Sequence, residues 1–140
     1  MKILIAADGS EYTKRMLGYI AAHDEWLGAQ HRYTVLHCVL AAPHRASAFV
    51  DWVQVRKFYE ADAEAVLKPI RSFFAMQGLD ATFVYRIGSP AENVAKLAKR
   101  GSFDLVIMGS HGHGAVGGLV LGSVVTKVLS LCNTPVLLIR

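Results

Sequence analysis

The stretch Asp104-Leu-Val-Ile-Met-Gly-Ser-His-Gly112, followed after nine residues by Gly122-Ser123, decides how this chain is read. Asp104 to Met108 is a short, almost wholly apolar run bounded by turn residues, the pattern of a buried strand. Gly109 to Leu121 is a glycine-rich loop. Ser123 to Leu131 is apolar and reads as a helix, and Pro135 to Ile139 is another strand-like run. A strand that passes through a glycine loop into a helix can cradle an anion. Glycines let backbone N–H groups approach closely, and the start of the helix adds a partial charge of about +0.5.

Working outward, the same alternation covers the whole chain. Lys2 to Ala7 is an apolar strand ended by Asp8-Gly9-Ser10. Glu11 to Leu27 reads as one helix with Met16, Ile20 and Leu27 on one face and Gly28 as its stop. Tyr33 to Leu40 is the second strand. Ala41 to Trp52 has no clear period and is expected to be a loop, long enough for a lid or a partner surface. Val53 to Gln77 is a long helical pattern interrupted by Pro69, where a bend or a division into two helices is expected. Ala81 to Ile87 is the third strand. Ser89-Pro90-Ala91-Glu92 combines a cap, a first-turn proline and a capping box, and opens a helix that ends near Gly101. The order β-α-β-α-β-α-β-loop-α-β predicts a doubly wound five-stranded parallel sheet with helices on both faces. In such sheets ligands bind beyond the carboxyl ends of the strands, where strand order reverses.

Composition agrees. The chain has 140 residues, enough for one core, so residues 1–140 are read as a single domain. Hydrophobic residues make up 53% and charged residues 19%, as expected when strands are covered on both faces. No run is long enough to span a membrane, and the N-terminus has no signal-peptide pattern, so a cytoplasmic protein is expected. The net charge of +4 is scattered without a basic block, which argues against nucleic acid. Cys38 and Cys132 lack metal-ligand or redox spacing and read as buried free thiols. After Asp104 only Lys127 and Arg140 carry charge.

The glycine loop is neither a Walker A loop, for which no Gly-Lys-Ser/Thr occurs, nor a dinucleotide fingerprint, since the first strand leads into Asp8-Gly9-Ser10. Asp8 suits a ribose hydroxyl or a metal, and as a bland alternative caps the first helix together with Ser10. On spacing alone, the glycines fit a phosphate cradle and a tight connection equally well. His111-Gly-His113 is too small a set for a metal site. His37, late in its strand, reads as a satisfied core or edge histidine. No nucleophile constellation is apparent.

From end to end the chain resembles the universal stress protein family. The resemblance is carried by Asp8-Gly9-Ser10, Leu36-His37-Cys38, Gly88-Ser89-Pro90, Asp104 leading into Gly109, and Pro135-Val-Leu-Leu-Ile139. The G-x2-G-x9-G-[S/T] pattern of its nucleotide-binding branch is matched at Gly109, Gly112, Gly122 and Ser123. The resemblance implies strand order 3-2-1-4-5 and an adenine-nucleotide site, with ATP as the first ligand and ADP or AMP as competitors. Ala7, Asp8 and Cys38 would lie against the adenine, and Met108 against the base or ribose. Gly109, His111, Gly112, Gly122, Ser123 and Val124 would surround the ribose and phosphates. It also implies Mg²⁺ or Mn²⁺ beside a triphosphate, a homodimer through Pro135 to Ile139, and a role in stress regulation with at most weak ATP hydrolysis. A slow ATPase and an interaction module with a vestigial pocket are the competing expectations. One departure stands out. Relatives often carry Arg or Lys just after the second glycine and within the nine-residue stretch, but residues 113–121 hold neither. A hydrogen bond from a cationic side chain to phosphate is worth about 1.5–3 kcal/mol, and His111 and His113 are expected to compensate in part at lower pH.

Overall fold

The computed structural model describes residues 1–41, 51–114, 118 and 120–140. In chain order its elements are β1 (Lys2–Ala6), α1 (Glu11–Ala22), α2 (Asp24–Leu27), β2 (Arg32–Val39) and α3 (Trp52–Met76), then β3 (Ala81–Ile87), α4 (Pro90–Arg100), β4 (Leu105–Gly109), α5 (Ser123–Leu131) and β5 (Val136–Ile139). All strand pairs are parallel, as the alternation predicts, and the order is β3-β2-β1-β4-β5, as the family resemblance implies. Ala6 is level with Leu36 of β2 on one side and Met108 of β4 on the other. The direction of winding therefore reverses between β1 and β4.

Alternating side chains divide the core between the two faces of the sheet. Ile3, Ile5, Val35 and Ile107 pack with Met16, Leu17 and Ile20 of α1 and with Leu67, Ile70 and Phe74 of α3. Leu4, Leu36, Val106 and Met108 pack with Ala91, Val94 and Ala98 of α4 and Val125 and Val128 of α5. Central strand β1 has no solvent-exposed surface at Ile3, Leu4 or Ile5, which is why its sequence is uninterrupted in its hydrophobicity.

Local details differ from the sequence reading for identifiable reasons. The helix expected over residues 11–27 divides at His23. Its ring Nδ1–H donates to the Tyr19 carbonyl at 2.8 Å, taking the acceptor a continuing helix would need, while its backbone N–H turns to Ile20. Gly28 is extended rather than left-handed, and is a glycine because a Cβ there would collide with the Asp24 carbonyl. Gly78, at φ +65°, does provide a left-handed stop after α3. Of the bend or division expected at Pro69, the division is absent. α3 runs through the exposed proline as one helix, and its buried stripe of Tyr59, Ala63, Leu67, Ile70 and Phe74 lies on both sides of it. That packing offsets the ~3 kcal/mol such a proline costs in a free helix. Trp52 belongs to α3 and not to the preceding loop, whose residues 42–50 lie outside the described ones. The capping box is not formed either. The Ser89 side chain makes no cap hydrogen bond, and the Glu92 carboxylate pairs with Lys127 of α5 at 3.2 Å.

Candidate functional site

Two turns meet at the reversal point. The first leaves β1 as Ala7-Asp8-Gly9-Ser10. Asp8 Oδ1 accepts the Ser10 N–H at 2.9 Å and the Thr13 hydroxyl at 3.0 Å, and the same hydroxyl oxygen accepts the Asp8 and Gly9 N–H groups at 3.2 Å. This closed set fixes the turn and the first turn of α1 as a unit. Gly9 sits at φ +77°, a left-handed conformation in which a side chain is strained. Burial alone would raise the Asp8 carboxyl. It is outweighed by the Ser10 hydroxyl and N–H, the Thr13 hydroxyl and the nearby His113, so the group lies below its ordinary value of 3.8 and is ionised. The Ser10 hydroxyl is close to the carboxylate but completes no hydrogen bond.

The second turn leaves β4. Ser110 is fully buried; its N–H donates to the Ile139 carbonyl and its own carbonyl accepts the Gly122 N–H, both at 2.8 Å. These two bonds pin the start and end of the loop beside each other and beside β5. Each motif glycine marks a close approach. A Cβ on Gly109 would lie 2.6 Å from Tyr12 Cβ, one on Gly112 2.6 Å from Asp8 Oδ2, and one on Gly122 3.2 Å from both the Ser110 carbonyl and His111 Cα. The loop thus rests on α1, on the Asp8 carboxylate and on itself. His113 Nε2–H donates to the Asp8 carbonyl at 2.8 Å, a second tie between the turns. His111 Nδ1 is 3.0 Å from Ser110 Oγ, and its ring lies against Tyr12 with centroids 5.1 Å apart. α5 begins directly after Gly122, which carries no side-chain cap. Its first N–H groups have no acceptor within the helix and are directed past its start.

The remaining residues singled out from sequence fall around this point in different ways. Ser123 and Val124 are on the exposed first turn of α5. Ala7 is buried, with its carbonyl accepting His37 Nδ1–H at 2.8 Å, which makes His37 the satisfied core histidine expected of it. Cys38 is half-buried on β2, and burial pushes its thiol up to about 11 against a smaller opposing effect of Arg86, so it remains a neutral thiol. The Met108 side chain is only 5% exposed and packs into the α4–α5 core. Sequence reasoning missed Thr13 and Tyr12. A hydroxyl five residues after Asp8, in the first turn of a helix, is a readable signal for the former; nothing in the pattern marks Tyr12. Among the described residues no group of three or more His, Cys, Asp or Glu is arranged to hold a metal ion, and no helix is long and apolar enough to cross a membrane.

Comparison with known proteins matches the model of the universal stress protein family over residues 1–140. The chain is 34% identical over 139 residues to the protein of Thermus aquaticus called "Universal stress protein in QAH/OAS sulfhydrylase 3'region", covering 99% of this chain and 97% of that one. The solved structure of MJ0577 from Methanocaldococcus jannaschii superposes with a TM-score of 0.79 at 28% identity, covering 99% and 94% of the two chains. A universal stress protein from Arabidopsis thaliana with AMP bound has a TM-score of 0.69 at 14% identity, covering 99% and 90%, a likeness of fold.

A carboxyl whose folded pKa lies below its unfolded value stabilises the fold above the unfolded value and loses that contribution as pH falls through the folded one. Asp8 is such a group. Urea denaturation is expected to show Asp8→Asn less stable than the native chain at neutral pH, with a shallower decline on acidification below about pH 4. An equal decline of both proteins in that window would show that the Asp8 contacts do not stabilise the ionised form.

Proposed function

This chain belongs to the universal stress protein family, and from that premise we propose that it binds an adenine nucleotide at the meeting of the Asp8 turn and the Gly109–Gly122 loop, as a homodimeric stress-response regulator. The observation that carries this reading is the cradle itself. Three motif glycines stand where any side chain would collide with α1, the Asp8 carboxylate or the loop backbone, and the uncapped start of α5 closes the same loop. Such an arrangement offers backbone N–H donors and a helix terminus to phosphate. The ionised Asp8 offers an acceptor for sugar hydroxyls. AMP in the Arabidopsis relative supports the choice of adenine nucleotide.

The roles follow from position. Ala7 and Asp8 follow the end of β1, Cys38 lies near the end of neighbouring β2, and the three would face the base and ribose. Gly109, His111, Gly112, Gly122, Ser123 and Val124 would face the ribose and phosphates. Met108 acts through its backbone, since its side chain is in the core. Mg²⁺ or Mn²⁺ would enter with a di- or triphosphate, held by the phosphates and Asp8. Regulation without rapid turnover fits a site in which Asp8, Ser110, His111 and His113 are engaged in holding its own turns together.

β5 supports the dimer. It is an edge strand with Val136, Leu137 and Leu138 all half-buried, and an open apolar edge invites pairing with a second copy. Sedimentation is expected to give twice the chain mass at micromolar concentration; a monomer under those conditions would contradict the assembly.

Gly122 tests the site. Its φ of −70° and ψ of 159° suit any residue, so Gly122→Val introduces no backbone strain but pushes against Ser110 and His111 in the loop. Millimolar AMP is expected to stabilise the native protein by ~1.4 kcal/mol at ten times its Kd, seen as a raised Tm, and to leave the variant unchanged. A variant that gains as much as the native chain would show the site to be assigned wrongly.

A further inference from the structure

Resting on the adenine-nucleotide reading above, we propose that without a divalent cation the site favours a nucleotide with a single phosphate, because position 113, directly after the second glycine of the loop, carries no Lys or Arg. The starting point is the position of negative charge. Asp8 Oδ2 lies against Gly112, the second glycine of the loop that receives phosphate, and the carboxylate is held in its ionised form. Any phosphate chain on the loop therefore extends beside a fixed negative charge.

The loop from Gly109 to Gly122 contains no Lys or Arg. Beyond it, Lys127 is paired with Glu92, and Arg140 follows edge strand β5, with β4 between that strand and β1. Arg15 lies over the Tyr12 ring at 5.1 Å, and that ring packs against His111. Each loop imidazole has one ring nitrogen engaged with a protein group. His111 Nδ1 meets Ser110 Oγ, and His113 Nε2–H is donated to the Asp8 carbonyl. What the loop and its helix themselves offer an anion is the start of α5, worth about half a unit charge, and backbone amides. That complement suits one phosphate. Each further phosphate adds negative charge near Asp8, and the loop supplies no Lys or Arg to meet it.

Position 113 is where a cation would act, because it directly follows Gly112 and His113 is tied there to the residue whose carboxylate opposes the anion. A lysine at this position would bring a permanent charge on a longer, flexible stem. Glutamine keeps a donor for the Asp8 carbonyl and adds no charge.

Isothermal titration of AMP and ATP in EDTA at neutral pH tests the proposal. The native protein is expected to bind AMP at least about tenfold more tightly than ATP, the factor a single ~1.4 kcal/mol contact supplies. His113→Lys is expected to shift the ratio toward ATP by about the same factor with AMP affinity nearly kept, and His113→Gln to retain the native preference. Tighter binding of ATP than of AMP by the native chain, or a ratio unmoved by His113→Lys, overturns the selectivity while leaving adenine-nucleotide binding intact. Binding of neither nucleotide to the native chain overturns both.

Discussion

The contact between the Asp8 carboxylate and the backbone of Gly112 is the constraint on which the rest of this site depends. One oxygen of the carboxylate is fixed by the Ser10 N–H and the Thr13 hydroxyl, and the other lies where only a hydrogen at Gly112 leaves room. The two turns belong to neighbouring strands on either side of the winding reversal. A charged group at the end of β1 therefore sets the position of a loop more than a hundred residues later. His113 adds a second tie to the same residue through the Asp8 carbonyl, so side chain and backbone of Asp8 hold the loop together.

Below this junction the sheet supplies rigidity. β1 is buried on both faces, with Ile3 and Ile5 packed toward α1 and α3 and Leu4 toward α4 and α5. Interiors packed at this density resist small displacements, and the turns inherit their positions from strand ends that cannot shift independently. The loop is also tied across the sheet, from Ser110 to Ile139 of β5 and from Gly122 back to Ser110. Placement of the α5 terminus is thus a consequence of strand pairing as much as of the loop sequence.

Much of this is legible in the sequence. Strict alternation of apolar strands with helical patterns points to the parallel sheet, and β3 and α5 fall on the expected residues. Element ends are less readable where side chains compete with the backbone. His23 divides a helix by taking the Tyr19 carbonyl, and Glu92 leaves its cap for a lysine on another helix; both depend on partners that periodicity does not reveal. The glycine spacing points to the loop, but not to why each glycine is there. Gly109 faces Tyr12 and Gly112 faces Asp8 only because the fold brings α1 and β1 to the loop. One ring nitrogen of each loop histidine is engaged, that of His111 with Ser110 and that of His113 with Asp8, contacts that only the folded geometry reveals.

Whether these two turns form one adenine-nucleotide site is read most directly from amide chemical shifts followed by NMR during titration with AMP, because they report on each backbone N–H separately. Saturable shifts are expected at Asp8 to Ser10, at Gly109 to Gly112 and at Gly122 to Val124, with β3 and the far end of α3 unmoved. Shifts confined to other parts of the chain, or none at millimolar AMP, would contradict a shared site.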